Sequence, residues 1–209
     1  MARAGEELGL DFQVAWHPYF LDPSLPAERL SKRDNYRRRG LGEGKLAKLE
    51  RKMTELFRAE GLRYTLEGET GSTMDSHRLA AWVFTKYGAE EQDRFVDALF
   101  RRHFSEGQSP SDPSSLLGAA EEAGLDVPAA RRLLESGAGR EGAARAAADV
   151  AEMVTGVPHY FLTVEGTQSE EKPRGLMAQV PGAQDADTFF LVFRGLAQKA
   201  RDLVGAAKL

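Results

Sequence analysis

Apolar and polar residues alternate near the start of the chain. Leu10, Phe12, Val14 and Trp16 are separated by polar or small residues. A period of two is typical of a β-strand with one buried face, so a strand is predicted over residues 10–16. The segment that follows, "HPYFLDPSLP", contains three prolines and predicts an extended loop.

The pattern then changes to helical spacing. Within residues 44–59, apolar side chains recur at three- and four-residue intervals, and Gly61 stands where a C-terminal cap is expected. A second helix, "GSTMDSHRLAAWVFTKY", is predicted to end at Gly88, with Ser72 and Asp75 at the spacing of a capping box. The same criterion predicts further helices over residues 90–107, 114–123, 128–135 and 140–154.

A helix end, a valine–proline pair and an apolar run meet in "TGVPHYFLTVEG", residues 155–166. Strands are predicted after Pro158 and in "LMAQV", with a polar loop between them and a helix after them. Proline has no N–H to donate to a sheet. Pro158 therefore indicates either a cis peptide bond that shapes a binding surface or a trans proline at an edge strand. This order of elements predicts an α/β protein with a helical insertion.

Composition narrows the functional classes. The net charge of −4 argues against a general nucleic-acid binder, which is usually basic. No apolar run reaches the length of a membrane span, and "MARAGEELGLDF" lacks the apolar core of a secretory signal, so a cytoplasmic location is expected. The 209 residues include no cysteine, which excludes disulfides, thiolate metal sites and thiol catalysis within them.

The histidines and glycine-rich segments give weak signals. No HxxxH or HxH pair is present, so neither a metal site nor a cofactor is predicted. His103 lies on an apolar helix face, as packed core histidines do, whereas His77 could cap a helix, form a hydrogen bond or line a cleft. "GETGST" is similar to a phosphate loop but lacks its lysine.

Residues 31–45, "SKRDNYRRRGLGEGK", are rich in cations. Two interpretations are open: a patch that binds polyanions, or a solvated turn that leads into the next helix. The cations are Lys32, Arg33, Arg37, Arg38, Arg39 and Lys45.

Five stretches, taken in order, resemble the DsbA family of thioredoxin-like proteins, in particular its FrnE-like branch. "WHPYFLDPSLP" resembles that branch's W-x-P-F-x-L-x-P segment, and "GSTMDSHRLAAWVFTKYG" resembles its N-T-x-x-A-H-R-L helix. "FVDALFRRHFSEGQSPSDPSSLLGAAEEAGLD" resembles its insertion, "TGVPHYFL" its G-V-P-x-F strand, and "VPGAQDADTFF" its closing G-A-Q segment. Kappa-class glutathione transferases and chromene carboxylate isomerases share this architecture, but the G-A-Q ending favours the FrnE-like branch.

The resemblance implies an α/β, thioredoxin-like fold with an α-helical insertion domain, and protein dithiol–disulfide oxidoreductase activity. It places a partial thioredoxin-like domain in residues 1–43, the α-helical insertion in 44–136, and the remainder of the thioredoxin-like domain in 137–209.

The resemblance also implies a substrate site. The backbone of Gly156, Val157 and Pro158 would hold an extended peptide or glutathione, because a cis-proline loop leaves neighbouring backbone groups free. Ser72 and His77 would lie near the same cleft. Ser72 departs from the family pattern, which has asparagine there.

The match lacks the family's first strand, its C-x-x-C and most of its first helix, of which Met1–Leu8 would be the end. The thiolate is the nucleophile of this chemistry, so no catalytic residue is assigned. A truncated form of a normal oxidoreductase is expected. Two alternatives stay open: the strands that flank the missing one could pair directly, or another chain could supply it.

Two further functions stay open. A cysteine-free module could bind peptides or glutathione through Val157 and Pro158, and would lose binding on Pro158→Ala. A kappa-like glutathione transferase or isomerase would need a serine at the first helix. The expected partner is a thiol- or disulfide-bearing protein or a glutathione-like substrate, with no nucleic acid and no membrane.

Overall fold

The computed structural model describes residues 1–26, 28–167 and 175–206. The chain divides into two compact units. The first unit comprises Met1–Gln13 and Ala151–Leu209, and the second comprises Val14–Val150. The domain bounds expected from the sequence, 1–43, 44–136 and 137–209, remain a prediction.

Helices make up most of the described residues, and the strands are short. The helices are α1 (Ala2–Leu8), α2 (Lys32–Arg38), α3 (Glu43–Ala59), α4 (Met74–Tyr87), α5 (Ala89–Phe104), α6 (Pro113–Glu122), α7 (Val127–Glu135), α8 (Arg140–Met153) and α9 (Ala186–Ala206). The strands are β1 (Leu30–Ser31), β2 (Glu69–Thr70), β3 (His159–Val164) and β4 (Leu176–Pro181).

Apolar spacing located the long helices correctly. The helices predicted from residue 44 to residue 154, the two strands after Pro158 and the last helix are confirmed, with ends displaced by a few residues. Gly61 and Gly88 follow α3 and α4 as expected. The polar loop predicted between β3 and β4 falls largely on residues 168–174, which lie outside the described residues.

The strand predicted over residues 10–16 is wrong. Residues 9–20 form no regular structure, and none of the described strands pairs with them. The side chain of Gln92 takes the place of a partner strand at the end of this segment. Its Oε1 accepts the backbone N–H of Trp16 at 2.8 Å, and its Nε2 donates to the Trp16 carbonyl at 3.0 Å. Alternation indicates which side chains share a face, but a strand also needs a neighbour that completes its ladder.

The capping box predicted at Ser72 and Asp75 is also wrong. The N-cap of α4 is Thr73, whose side chain makes no capping bond. The Asp75 carboxylate instead accepts from Arg78 at 3.2 Å and from Arg140 at 2.9 Å. A buried guanidinium needs a counter-charge, and this requirement outweighs the weaker capping bond.

A core of apolar side chains holds α4 to α7 of the second unit together. Leu79, Phe95 and Leu116 are each completely buried. Arg78 is buried among them, and its guanidinium donates to the carbonyls of Leu133 and Ser136. It thereby gives a donor to the Ser136 carbonyl just after α7 and adds one to the Leu133 carbonyl, which also accepts from the N–H and Oγ of Ser136.

β3 and β4 form an antiparallel pair in the first unit. The register runs from His159 opposite Pro181 to Val164 opposite Leu176. The N–H of Gly182 donates to the Pro158 carbonyl at 2.8 Å, which fixes the alternation of bonds along β3. The backbone groups of residues 160, 162 and 164 therefore point towards β4, and those of residues 159, 161 and 163 point to the outer edge. β3 pairs with β4 and with no other described strand, so direct pairing with the predicted strand at 10–16 is not found.

Candidate functional site

The segment Gly156–Pro158 joins α8 to β3. Val154 is buried and anchors the segment, whereas Val157 is 48% exposed and Pro158 is exposed. The Val157–Pro158 peptide bond is cis. An apolar side chain and its backbone are thus presented to solvent on a short, anchored connection.

The backbone of this segment has free hydrogen-bonding groups. The N–H and C=O groups of Gly156 and Val157 are bonded to no other described residue. The Pro158 carbonyl is already used, because it accepts from Gly182. Exposed, unpaired backbone groups next to a strand are suited to pairing with an extended peptide.

Aromatic rings support β3 from one face. Tyr160 meets Phe189 of α9 edge to face, with ring centroids 4.8 Å apart. Phe193 is buried beneath them and contacts both Phe189 and Phe12, at centroid distances of 6.0 and 4.9 Å. The strand that follows the candidate segment is therefore held by a packed aromatic row within its own unit.

Ser72 and His77 lie at the start of α4. The backbone N–H of Ser72 donates to the Pro26 carbonyl at 3.3 Å, and its Oγ accepts from the N–H of Met74 at 3.4 Å. The imidazole of His77 packs edge to face on Phe20, with centroids 5.1 Å apart. Both residues thus contact the proline-rich loop that the sequence predicted.

Burial lowers the pKa of His77 to about 4, although a backbone hydrogen bond with Tyr19 opposes the shift. The ring is therefore neutral near pH 7. A neutral imidazole offers one donor and one acceptor, so His77 can position a partner by hydrogen bonding but supplies no positive charge.

The five predicted site residues form two separate groups in the chain. Gly156, Val157 and Pro158 are contiguous in the first unit, and Ser72 and His77 belong to the second. The assignment of all five to one substrate site remains a prediction.

Sequence reasoning missed the contribution of the segment after β4. Gly182 donates to Pro158, and Gln184 Nε2 donates to the Pro181 carbonyl at 2.9 Å. Both residues belong to "PGAQ", which served only as a family marker. The proline–glycine pair at a strand end was a turn signal that could have placed them beside the candidate segment.

Acids neutralise much of the cationic segment at residues 31–45. Arg33 pairs with Glu50 and Glu67, at 2.8 and 3.1 Å. Arg37 and Arg38 also pair with nearby acids. Lys32 is buried, its Nζ donates to the carbonyls of Thr65 and His103, and burial lowers its pKa to about 8. Only part of this segment can therefore attract a polyanion.

No metal cluster was found among the described residues. They contain no group of three or more His, Cys, Asp or Glu side chains placed to hold a metal ion. A cavity of about 460 Å³ in the second unit is lined by Arg29, Glu69 and Asp112, whose charges pair with one another. None of the helices in the described ranges is both long enough and apolar enough to cross a bilayer.

Comparison with known proteins identifies relatives of the chain. The model of the DSBA-like thioredoxin domain matches residues 2–191. A solved structure of a probable DsbA oxidoreductase from Streptomyces coelicolor is similar, with a TM-score of 0.69 and 23% sequence identity. The similarity covers 86% of this chain and 73% of that one. None of the curated proteins matches the chain.

Proposed function

Because this chain belongs to the family of DSBA-like thioredoxin domains, we propose that it holds extended segments of thiol- or disulfide-bearing proteins for disulfide exchange. The backbone of Gly156 and Val157 is the part that binds. The observation that carries this proposal is that the N–H and C=O groups of half-buried Gly156 and exposed Val157 bond to no other described residue.

A protein that binds many different substrates can recognise them through the backbone that they share. Proteins that carry thiols differ in their side chains, but every extended segment offers the same N–H and C=O groups. The exposed side chain of Val157 adds apolar contact without demanding a particular sequence.

The redox step itself requires a thiolate that these 209 residues do not contain. In thiol–disulfide exchange, a thiolate attacks one sulfur of a disulfide and displaces the other sulfur as a thiolate. The attacking sulfur must therefore come from outside these residues, and the chain's own contribution is to bind and orient the substrate.

We assign the chain to the FrnE-like branch of the family. The support lies in "PGAQ": Gly182 bonds to Pro158 and Gln184 bonds to Pro181, so the branch marker lies beside the candidate segment. The cytoplasmic location expected from the sequence is part of the same proposal.

The test is an NMR titration of the isotope-labelled chain with a ten-residue peptide that contains one central cysteine. We expect micromolar-to-millimolar binding, with the largest shifts at the amides of Gly156, Val157 and His159. A peptide with serine in place of cysteine should bind equally well, because the chain has no thiol. A peptide N-methylated at its central residues should bind at least tenfold more weakly, because each lost backbone bond removes about 1 kcal/mol.

A variant of the chain tests the same backbone contact by removing a donor from the protein instead of from the peptide. Val157→Pro removes one N–H and should weaken binding about fivefold, provided that the amide pattern of β3 and β4 is unchanged. Equal binding of the N-methylated peptide would refute the backbone contact even if this variant fails to fold. Stronger shifts with glutathione than with the peptide would show that the substrate is the tripeptide rather than a protein.

A further inference from the structure

Unpaired cations are concentrated on and around α3. Residues 29–63 carry twelve Lys and Arg against five Asp and Glu, although the whole chain has a net charge of −4. The preceding cations at Lys32, Arg33, Arg37 and Arg38 are buried or ion-paired. Arg39 is exposed and forms no ion pair with a described residue, and most of the other charge that remains available to a partner lies further along, on α3.

Three lysines of α3 lie on one side of the helix. Lys45, Lys48 and Lys52 are three and four residues apart and are followed at the same spacing by Leu56. All four side chains are exposed, and no lysine among them forms an ion pair with a described residue. Leu62, just after the helix, is 53% exposed, and Leu56 is 52% exposed. We call these five residues the lysine face.

Another side of the helix fixes α3 in place. Leu46 is completely buried, and Phe57 contacts the rings of Tyr64 and Phe104 at centroid distances of 5.1 and 6.1 Å. The apolar residues on that side are used inside the unit. The lysine face is therefore presented on a helix that is already anchored.

We propose that the lysine face docks the chain on an anionic lipid surface. The three lysines extend along the helix rather than converging on a pocket, as suits headgroups spread over a plane. Lysine is a point charge on a flexible stem, and each lysine near an anionic bilayer adds about fivefold to binding. Leu56 and Leu62 can enter the headgroup region, as apolar residues of interfacial helices do.

Nucleic acid fits this face less well. A nucleic-acid backbone offers no apolar surface to two exposed leucines. The arginine forks of Arg33 and Arg37, which suit phosphate recognition, are occupied by carboxylates of this chain, and the exposed Arg51 and Arg58 of α3 lie outside the lysine face. No membrane partner was expected from the sequence because no apolar run reaches the length of a membrane span, but contact with a surface requires no span.

Two acids adjoin the lysine face and limit its strength. Glu55 lies on the next row of α3, and Glu60 follows the helix. Arg51 and Arg58 are exposed on the same helix, and their positive charges offset those of the two acids. Surface charges are screened beyond about 8 Å at physiological salt, so we expect binding to be weak and salt-sensitive.

Sedimentation with lipid vesicles tests the proposal. The intact chain should bind phosphatidylcholine vesicles that contain about one-third phosphatidylglycerol at low salt, and should not bind pure phosphatidylcholine. The triple variant Lys45→Gln, Lys48→Gln, Lys52→Gln should lose about 100-fold in partitioning. The matched control is Arg131→Gln, Arg194→Gln, Lys199→Gln, which removes the same charge from exposed positions elsewhere.

The leucines are tested separately. Leu56→Ser with Leu62→Ser should reduce vesicle binding about tenfold and leave its salt dependence unchanged. Equal losses in the two triple variants would overturn the proposal, because net charge alone would then explain binding. Absence of vesicle binding at low salt would also overturn the proposal. So would a result in which the chain is retained on an RNA column but does not bind vesicles.

Discussion

Gly182 donates its N–H to the carbonyl of Pro158 across 2.8 Å and so connects the end of β4 to the residue that precedes β3. Gly182 has a φ of +75°, a left-handed conformation that a side chain disfavours. The candidate segment is therefore held in register by a backbone bond that depends on a glycine.

Gly182→Ala should destabilise the first unit by about 1–2 kcal/mol, because alanine in the left-handed region carries that cost. Urea unfolding measures the change. Gly137→Ala is the matched control, since no atom lies within 4 Å of its added Cβ and its φ is not positive. A loss for Gly182→Ala no larger than that of the control would show that this position does not require a glycine.

The aromatic row under β3 predicts an order of stability losses. Phe193→Ala should cost about 3–4 kcal/mol because the ring is buried, whereas the partly exposed Tyr160→Ala should cost about 1 kcal/mol. Leu191→Ala, at an exposed position of the same helix, should cost almost nothing. Chemical denaturation gives all three values, and a reversed order would contradict the packing described here.

Arg78 and Arg140 share the Asp75 carboxylate but differ in burial. Arg78→Ala should destabilise the second unit by about 3–5 kcal/mol, because it breaks the buried ion pair with Asp75 and leaves the Ser136 carbonyl without its donor. Arg140→Ala should cost less than about 1 kcal/mol, as exposed ion pairs do. Thermal unfolding of both variants compares the two, and similar losses would count against a special role for Arg78.

Stability should fall as the pH drops from about 6.5 to about 4. Burial lowers the pKa of His77 to about 4, and burial together with the nearby Lys32 cation lowers that of His103 to about 4. The unfolded chain takes up protons near pH 6.5 and the folded chain only near pH 4, so protonation favours unfolding between these values. Urea midpoints at pH 7 and pH 5 measure the loss.

The His77→Gln variant shows how much of this loss of stability at low pH comes from His77. It should flatten the pH dependence over the same interval, because the variant has no group to protonate there. Titration of the His77 Cε1–H signal by NMR gives the pKa directly. A value near 6.5 would mean that the ring is more hydrated than its packing on Phe20 indicates.

The sequence predicted the family and the fold class, and both are confirmed. Long helices were predicted well because their apolar spacing is local information. The strand at 10–16 was not, since a strand requires a partner and here Gln92, far along the chain, takes that place. Motif order carried the family assignment where each motif alone was weak.

The candidate site was predictable only where its residues are contiguous. Gly156, Val157 and Pro158 follow from one short motif, but the bond from Gly182 depends on how two strands align. The prediction that Ser72 and Asp75 form a capping box was wrong for a similar reason. A buried arginine on the same helix took the carboxylate, and a sequence pattern gives no measure of burial.

The outer edge of β3 gives the strand an alternating isotope-exchange signature. Amide protons of Tyr160, Leu162 and Val164 face β4 and should exchange slowly with deuterium, whereas those of His159, Phe161 and Thr163 face outward and should exchange quickly. Any strand that adds to this edge would slow the second set and leave the first unchanged. Three amide protons therefore serve as a built-in reporter of whether that edge is occupied in solution.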